Sequence, residues 1–162
     1  INFDRGVSIE MFEHMRNYKE LLSRVSSWLN DQGKLFIHIF SHESLVYPFE
    51  DQGDADWMAR EFFSGGMMPS HDLLLHFQDD LQIDDVWRIS GTHYEKTSLA
   101  WVNKMDKNKD QIMEIFLDTY GDDARLWFHR WRIFFMSCEK LFGYDNGSEW
   151  GVSHYRFMKR EV

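Results

Sequence analysis

The sequence predicts an α/β fold built around parallel strands, and three observations lead there. Residues 2–9 read as a short strand, Tyr18, Leu21, Leu22, Val25, Trp28 and Leu29 recur at helical spacing, and Lys34 to Ile39 form a near-continuous apolar run of strand length. Together these make a strand–helix–strand unit. Two later segments, 83–89 and 150–158, alternate apolar and polar residues as half-buried strands do, with helical patterns between them. Finally, Glu10, Glu13 and His14 crowd the junction of the first strand and first helix, where open α/β sheets place their ligands.

Each element has a local cause. Asn30-Asp31-Gln32-Gly33 reads as the turn between the first helix and the second strand. From 41 to 82 the periodicity breaks into a long irregular insertion carrying Gly53, Gly65, Gly66, Pro48 and Pro69, with a short helix near 54–63. Insertions of that length within a domain are usually functional lids. Ser70 is placed to cap a helix over 71–80. Helices follow over about 94–104 and 107–119, and then a strong one over 122–142, capped by Asp122 or Asp123 and stopped by Gly143. Its apolar positions Trp127, Phe128, Trp131, Phe134, Phe135, Cys138, Leu141 and Phe142 spread over a wide stripe, which predicts that most are buried. Asn146-Gly147 is a turn, and the strand after it is expected at the sheet edge, antiparallel to its neighbour.

Composition narrows the function. A chain of 162 residues fits one domain with a real core. A net charge of -9 without any Lys/Arg-rich stretch argues against a nucleic-acid partner. Seven Trp and fourteen Phe are enough to line a pocket for a flat or cationic ligand, or simply to build an aromatic core. The single cysteine, Cys138, excludes an internal disulfide framework and a Cys-based zinc site and suits a reducing compartment. No signal peptide is visible, and no apolar run approaches the roughly twenty residues of a membrane span, so the reading is cytoplasmic. The chain opens inside a strand and has no Gly-rich loop after it, so residues 1–162 are expected to be the carboxyl-terminal part of a larger domain.

Glu10, Glu13 and His14 lie three and four positions apart, on one helical face if the helix starts that early. Two carboxylates and an imidazole suit one small basic group: they take its proton and stabilise positive charge on it. The plain structural reading is that Glu10 and Glu13 are acids favoured by the first turn of a helix, and that His14 orients or packs. His38, mid-strand in an apolar run, reads as a satisfied core histidine or as a ligand, and Tyr94 as ordinary packing at a helix start or as part of a pocket. Cys138, on the apolar stripe with no base adjacent in sequence, reads as a small core residue. A Glu-x-x-x-His pair can bind metal, but a carboxylate-bridged site needs a second such pair, so no metal is expected.

Several segments resemble one family. Phe3-Asp4-Arg5, the run Ser8-Ile9-Glu10-Met11-Phe12-Glu13-His14-Met15 and the run Gly33-Lys34-Leu35-Phe36-Ile37-His38-Ile39-Phe40 are similar to the middle strands of the cyclopropane-fatty-acid-synthase-like, S-adenosylmethionine-dependent methyltransferases. Phe77-Gln78-Asp79-Asp80-Leu81, Gly91-Thr92-His93-Tyr94, Asn146-Gly147-Ser148-Glu149-Trp150 and the long aromatic helix resemble the same family, and most of all its coclaurine/pavine N-methyltransferase-like branch. Gly6 departs from the β-branched residue usual at its position. The resemblance covers nearly the whole chain. It implies a Rossmann-like class I methyltransferase fold, of which this is the carboxyl-terminal half with a helical lid insertion at about 41–82. The main S-adenosylmethionine site would lie in the amino-terminal half, which activity would require, and Ile9 would be this chain's contact with the cofactor.

Two branches compete at single positions. Lipid cyclopropane synthases resemble this chain at Glu13, His38 and Tyr94, which in that branch hold a bicarbonate acting as base, and at Cys138; they carry glycine at the position of Glu10. The amine N-methyltransferases resemble it at Glu10, Glu13 and His14 together, a set that in that branch lies beside the substrate nitrogen. Glu10 therefore favours methylation of a small, aromatic-bearing, alkaloid-like amine by in-line transfer. The alternatives are a cyclopropane-fatty-acyl-phospholipid synthase working with bicarbonate at a lipid surface, and a noncatalytic fragment or binding module. Alone, the 162-residue chain is expected to be inactive and to bind S-adenosylmethionine weakly or not at all.

Overall fold

The structure, a computed structural model, describes residues 2–160; Ile1, Glu161 and Val162 lie outside the described residues. Strands β1 (Phe3–Ile9) and β2 (Leu29–His42) pair in parallel, and helix α1 (Tyr18–Trp28) supplies the crossover that parallel pairing requires. The Asn17 side chain accepts from the Glu20 backbone N–H and starts α1 there. Tyr18, Leu22, Val25 and Leu29 form a buried stripe that shares one apolar core with Leu35, Ile37 and Ile39 of β2. Trp28 does not join it and is 51% exposed. At 100° per residue it falls about 90° from the centre of that stripe, and Leu29 takes the buried place.

The expected turn at 30–33 is absorbed into β2 as a bulge. Phe3 pairs with Leu29 but Arg5 pairs with Lys34, so the intervening residues of β2 loop out. The Asn30 side chain donates to the Asp4 carboxylate at 2.6 Å, and Gly33 is needed because a Cβ there would lie 2.8 Å from the Asn30 carbonyl oxygen. Gly6 has a comparable reason: a Cβ on it would crowd Leu35 Cδ1 at 3.2 Å.

Two further strands, β5 (Leu81–Ile89) and β6 (Trp150–Lys159), pair antiparallel and complete a four-stranded sheet in the order β1-β2-β6-β5. The final strand is thus antiparallel, as its alternation implies, but lies inside the sheet with β5 at the edge. Alternation reports which face is buried, whereas edge or interior position depends on pairing with β2, far away in sequence. Tyr155 and Phe157 of β6 face the same core as α1.

The insertion carries a short antiparallel pair, β3 (Tyr47–Pro48) with β4 (Met67–Met68), and helix α2 (Trp57–Glu61), entered through a 3₁₀ turn at Asp54–Asp56. The helix expected over 71–80 shrinks to a single 3₁₀ turn, Leu73–His76. The Ser70 hydroxyl donates to the Asp72 carboxylate instead of capping a helical N–H, and the Gln78 side chain takes the Leu75 carbonyl that a further turn would use.

Contacts divide the chain into two compact units, one holding the sheet (Ile1–Ile89 with Gly151–Val162) and the other spanning Ser90–Trp150. The second contains α3 (Gly91–Lys107), α4 (Lys109–Tyr120) and α5 (Ala124–Gly143), with α5 packed on both other helices. Helix α3 begins earlier than its periodicity indicates because the Ser90 hydroxyl accepts from the Thr92 N–H. Of the eight stripe residues on α5 only Phe128 and Phe142 are buried; the others, Cys138 among them, are half-buried. A stripe so wide exceeds what two neighbouring helices cover, and a 590 Å³ apolar cavity remains beside Trp101, Met105, Ile112, Phe116, Trp131 and Phe135. Asp145 and Asn146 adopt left-handed φ of 45° and 56° in the turn after α5. No described helix is long and apolar enough to cross a membrane.

The helical unit closes around Gly91. A Cβ there would meet the Trp150 and Phe142 carbonyl oxygens, at 2.0 Å and 2.3 Å, so backbone must move. Gly91→Ala is expected to lower stability by about 3 kcal/mol, the upper range for overpacking a tight site. Urea unfolding followed by tryptophan fluorescence checks this, with Gly53→Ala, where a Cβ meets nothing, as the neutral control.

Candidate active site

The site begins where β1 ends. Ile9 pairs with His38, and the next residue, Glu10, donates its N–H to the His38 carbonyl at 3.0 Å. Glu10 has φ of 50°, a left-handed conformation that costs a non-glycine residue roughly 1 kcal/mol and turns the chain out of the sheet. Phe12–His14 then forms one 3₁₀ turn, and α1 waits for its cap at Asn17. Glu10, Glu13 and His14 therefore do not share an α-helical face, contrary to what their spacing implies. The turn is held by Phe12, which is buried and stacks on Tyr18 at 6.0 Å, and by the Tyr18 hydroxyl, which donates to the Phe12 carbonyl at 3.0 Å. Anchored so, the turn sends Glu13 inward to 2% exposure and leaves the His14 side chain 47% exposed.

The insertion presses on this turn. A Cβ on Gly66 would lie 2.9 Å from the Glu13 carbonyl oxygen, so only glycine permits that approach. Arg16 donates through Nε to the Gly65 carbonyl at 3.1 Å. The His14 ring lies over Phe63 at 6.4 Å, and Phe63 in turn packs on Phe49 and Phe40.

Burial dominates the electrostatics of Glu13 and pushes its carboxyl up to about 7. Its own backbone N–H opposes the rise, the charge of Glu10 adds to it, and His38 opposes it. Among the described residues Oε2 has no hydrogen-bond partner, and Oε1 is 3.8 Å from His14 Nε2. His38 Nε2 stands 3.0 Å from Glu10 Oε1, and His38 Nδ1 stands 2.9 Å from Nε2 of His154 on β6. His38 is thus a half-buried residue among polar partners, not a core histidine. Glu10, Glu13 and His38 come together with His14 at the rim. Tyr94 belongs to the helical unit and stacks on Phe142 at 4.4 Å; Cys138 sits half-buried on α5. The Ile9 side chain is 63% exposed at the carboxyl end of β1. An acid poised near neutrality in such a place gives or takes a proton with little driving force, which is what general acid–base work needs.

Sequence reasoning missed His154 and Gly66. The Gly65-Gly66 pair signals a close approach but not its target, and the imidazole of His154 acquires meaning only through the adjacency of β2 and β6.

Because the folded state raises the Glu13 pKa from 4.5 to about 7, the protonated form is favoured on folding, and its contribution to stability is full below pH 4.5 and lost as pH rises through 7. Glu13→Gln, which cannot ionise, should therefore gain stability over wild type between pH 4 and pH 8.5 by on the order of 2–3 kcal/mol. Urea unfolding at both pH values measures it; a difference that does not change with pH rejects a buried, neutral-favouring Glu13.

The family model described as mycolic acid cyclopropane synthetase matches residues 1–148. (S)-coclaurine N-methyltransferase of Papaver somniferum is 38% identical over 162 residues, 98% of this chain and 46% of the relative; pavine N-methyltransferase of Thalictrum flavum subsp. glaucum is 32% identical over 99% of this chain and 46% of its own length. The crystal structure of coclaurine N-methyltransferase bound to N-methylheliamine and SAH superposes with a TM-score of 0.90 at 36% identity, over 98% of this chain and 47% of that one. The chain spans about half the length of these relatives. With a family match over most of its residues and the parallel β1-β2 core of an α/β Rossmann-like methyltransferase fold, this chain belongs to the mycolic acid cyclopropane synthetase family.

Proposed function

We propose that the protein carrying this chain is an S-adenosylmethionine-dependent N-methyltransferase acting on a small aromatic-bearing amine, and that its acceptor site is formed by Glu10, Glu13 and His14. The observation that carries the reading is the buried Glu13 carboxyl, raised to about 7, beside a second carboxylate at the carboxyl end of a parallel strand. The similarity to plant alkaloid N-methyltransferases agrees with it.

When bound, the cofactor supplies an electrophilic methyl group on sulfonium. This chain offers it the exposed apolar side chain of Ile9, one residue from Glu10. An amine attacks only through a free lone pair. Glu13 takes the ammonium proton onto a carboxylate oxygen, and His14 at 3.8 Å supports that transfer from the rim. The Glu10 carboxylate stabilises the positive charge that develops on nitrogen. A cytoplasmic setting is part of the same proposal, supported by the lone cysteine.

The lipid-synthase reading has His38 in its favour, close to Glu13. Against it stands Glu10: the His38 Nε2 that would hold bicarbonate already faces a carboxylate at 3.0 Å, and one anion there repels another. Cyclopropanation of dispersed lipid that depends on bicarbonate would reverse this preference.

In the complete natural protein, with coclaurine as probe amine, Glu13→Gln is expected to lower kcat on the order of 10²-fold and His14→Ala by less, with cofactor affinity within a few-fold of wild type. The wild-type rate should rise with pH through about 7 as Glu13 loses its proton, and Glu13→Gln should flatten that rise. Steady-state kinetics from pH 6 to 10 tests both. An unchanged kcat and pH profile would reduce Glu13 to a structural residue.

A further inference from the structure

We propose that His154 is a positioning residue that selects the tautomer of His38, so that His38 keeps its Nε2–H on the side of the Glu10 carboxylate. The proposal rests on the reading of Glu10 as a stabiliser of a cationic nitrogen, but its structural half stands apart from any methyl transfer.

The geometry is a chain of three side chains on two strands and a strand end. Glu10 Oε1 lies 3.0 Å from His38 Nε2, an ion-pair approach without the alignment of a hydrogen bond, and His38 Nδ1 lies 2.9 Å from His154 Nε2. Two ring nitrogens at 2.9 Å hold one proton between them. A carboxylate 3.0 Å from Nε2 favours hydrogen on that nitrogen, which leaves Nδ1 of neutral His38 as a lone pair in need of a donor. His154 supplies it. Burial lowers the proton affinity of His154, which favours its neutral form with one N–H to place, and placing it on Nε2 satisfies His38. The opposite tautomer would set the Nε2 lone pair of His38 against the Glu10 carboxylate, a repulsive contact that would push that side chain away from the acceptor site.

Neighbouring contacts fix the second imidazole. Phe36 of β2 packs on the His154 ring at 5.1 Å. The adjacent Ser153, fully buried, shares a 2.6 Å hydrogen bond with Ser41 of β2 and a 2.7 Å one with His71, which locks β6 beside β2. The charged groups that face His38 are Glu10 and Glu13. Arg156, two residues along β6 from His154, and Lys34 of β2 are both engaged by Asp84, so neither competes for the pair.

The test uses the complete natural protein labelled with ¹⁵N-histidine, together with His154→Gln, whose amide N–H can replace Nε2–H, and His154→Leu, which cannot donate. Histidine ¹⁵N chemical shifts at pH 8 are expected to show His38 as the Nε2–H tautomer in wild type and His154→Gln, and as a mixture in His154→Leu. Coclaurine methylation should follow the same order: kcat within about 3-fold of wild type for His154→Gln and about 10-fold lower for His154→Leu, with KM little changed. A wild-type His38 in the Nδ1–H or mixed form overturns the proposal, as does a His154→Leu protein equal to His154→Gln in both readouts. Absence of methyl transfer in wild type rejects the reading of function instead, and the ¹⁵N shifts still decide the histidine pair. If His154→Leu fails to fold, His154→Asn, polar but too short to reach His38 Nδ1, takes its place with the same expectation.

Discussion

The burial of Glu13 is the constraint on which the rest of the site depends. A carboxyl group at 2% exposure, one of its oxygens without a hydrogen-bond partner among the described residues, is costly, and the fold sustains it because the turn carrying it is held from three sides. Phe12 and Tyr18 fix the turn from the core, the left-handed Glu10 fixes its departure from β1, and Gly66 closes over its backbone. Released from any of these, the side chain would turn to water and its pKa would return toward that of an ordinary glutamate. Cost and use are linked: a group raised by burial to about 7 is the kind of group that exchanges protons near neutrality.

The sheet supplies the second requirement, rigid placement. Parallel β1 and β2 bring Ile9 opposite His38, so the strand end with its two acids and the mid-strand imidazole meet without a flexible loop between them. Beside β2, β6 contributes His154 on one face while Ser153 on the other is tied into buried hydrogen bonds with Ser41 and His71. A strand alternates its faces, so anchoring Ser153 also determines where His154 stands. The insertion acts at the same point through Gly66, Arg16 and Phe63. It touches the backbone and the exposed ring of the Phe12–His14 turn, so any movement of it would alter the burial of Glu13.

Much of the fold was legible locally. The α1 stripe, the apolar run of β2, the alternation of β5 and β6, the three long helices and the Asn146-Gly147 turn all follow from periodicity and turn chemistry, which operate over a few residues. The errors share a cause. Asn30 to Gly33 looks like a turn and becomes a bulge because Asp4 on the partner strand takes the Asn30 side chain. Residues 71–80 look like a helix, but Ser70 and Gln78 spend their hydrogen bonds elsewhere. The aromatic stripe of α5 is hydrophobic enough for burial, yet the helices around it leave Trp131 and Phe135 beside a cavity.

The sequence by itself determined the strand-to-helix junction where Glu10, Glu13 and His14 cluster and the family to which the chain belongs, because each of these is written in neighbouring positions. Only the tertiary structure decided how those residues are placed. Spacing places Glu10, Glu13 and His14 on a helix; the buried Phe12–Tyr18 pair and the late cap at Asn17 replace that helix with a turn that sends one acid inward and leaves the imidazole outside. His38 joins the acids, and His154 joins His38, through strand pairings that span 28 and 116 residues of sequence separation respectively. Such contacts depend on sheet order and on which face is buried, and no local pattern encodes either.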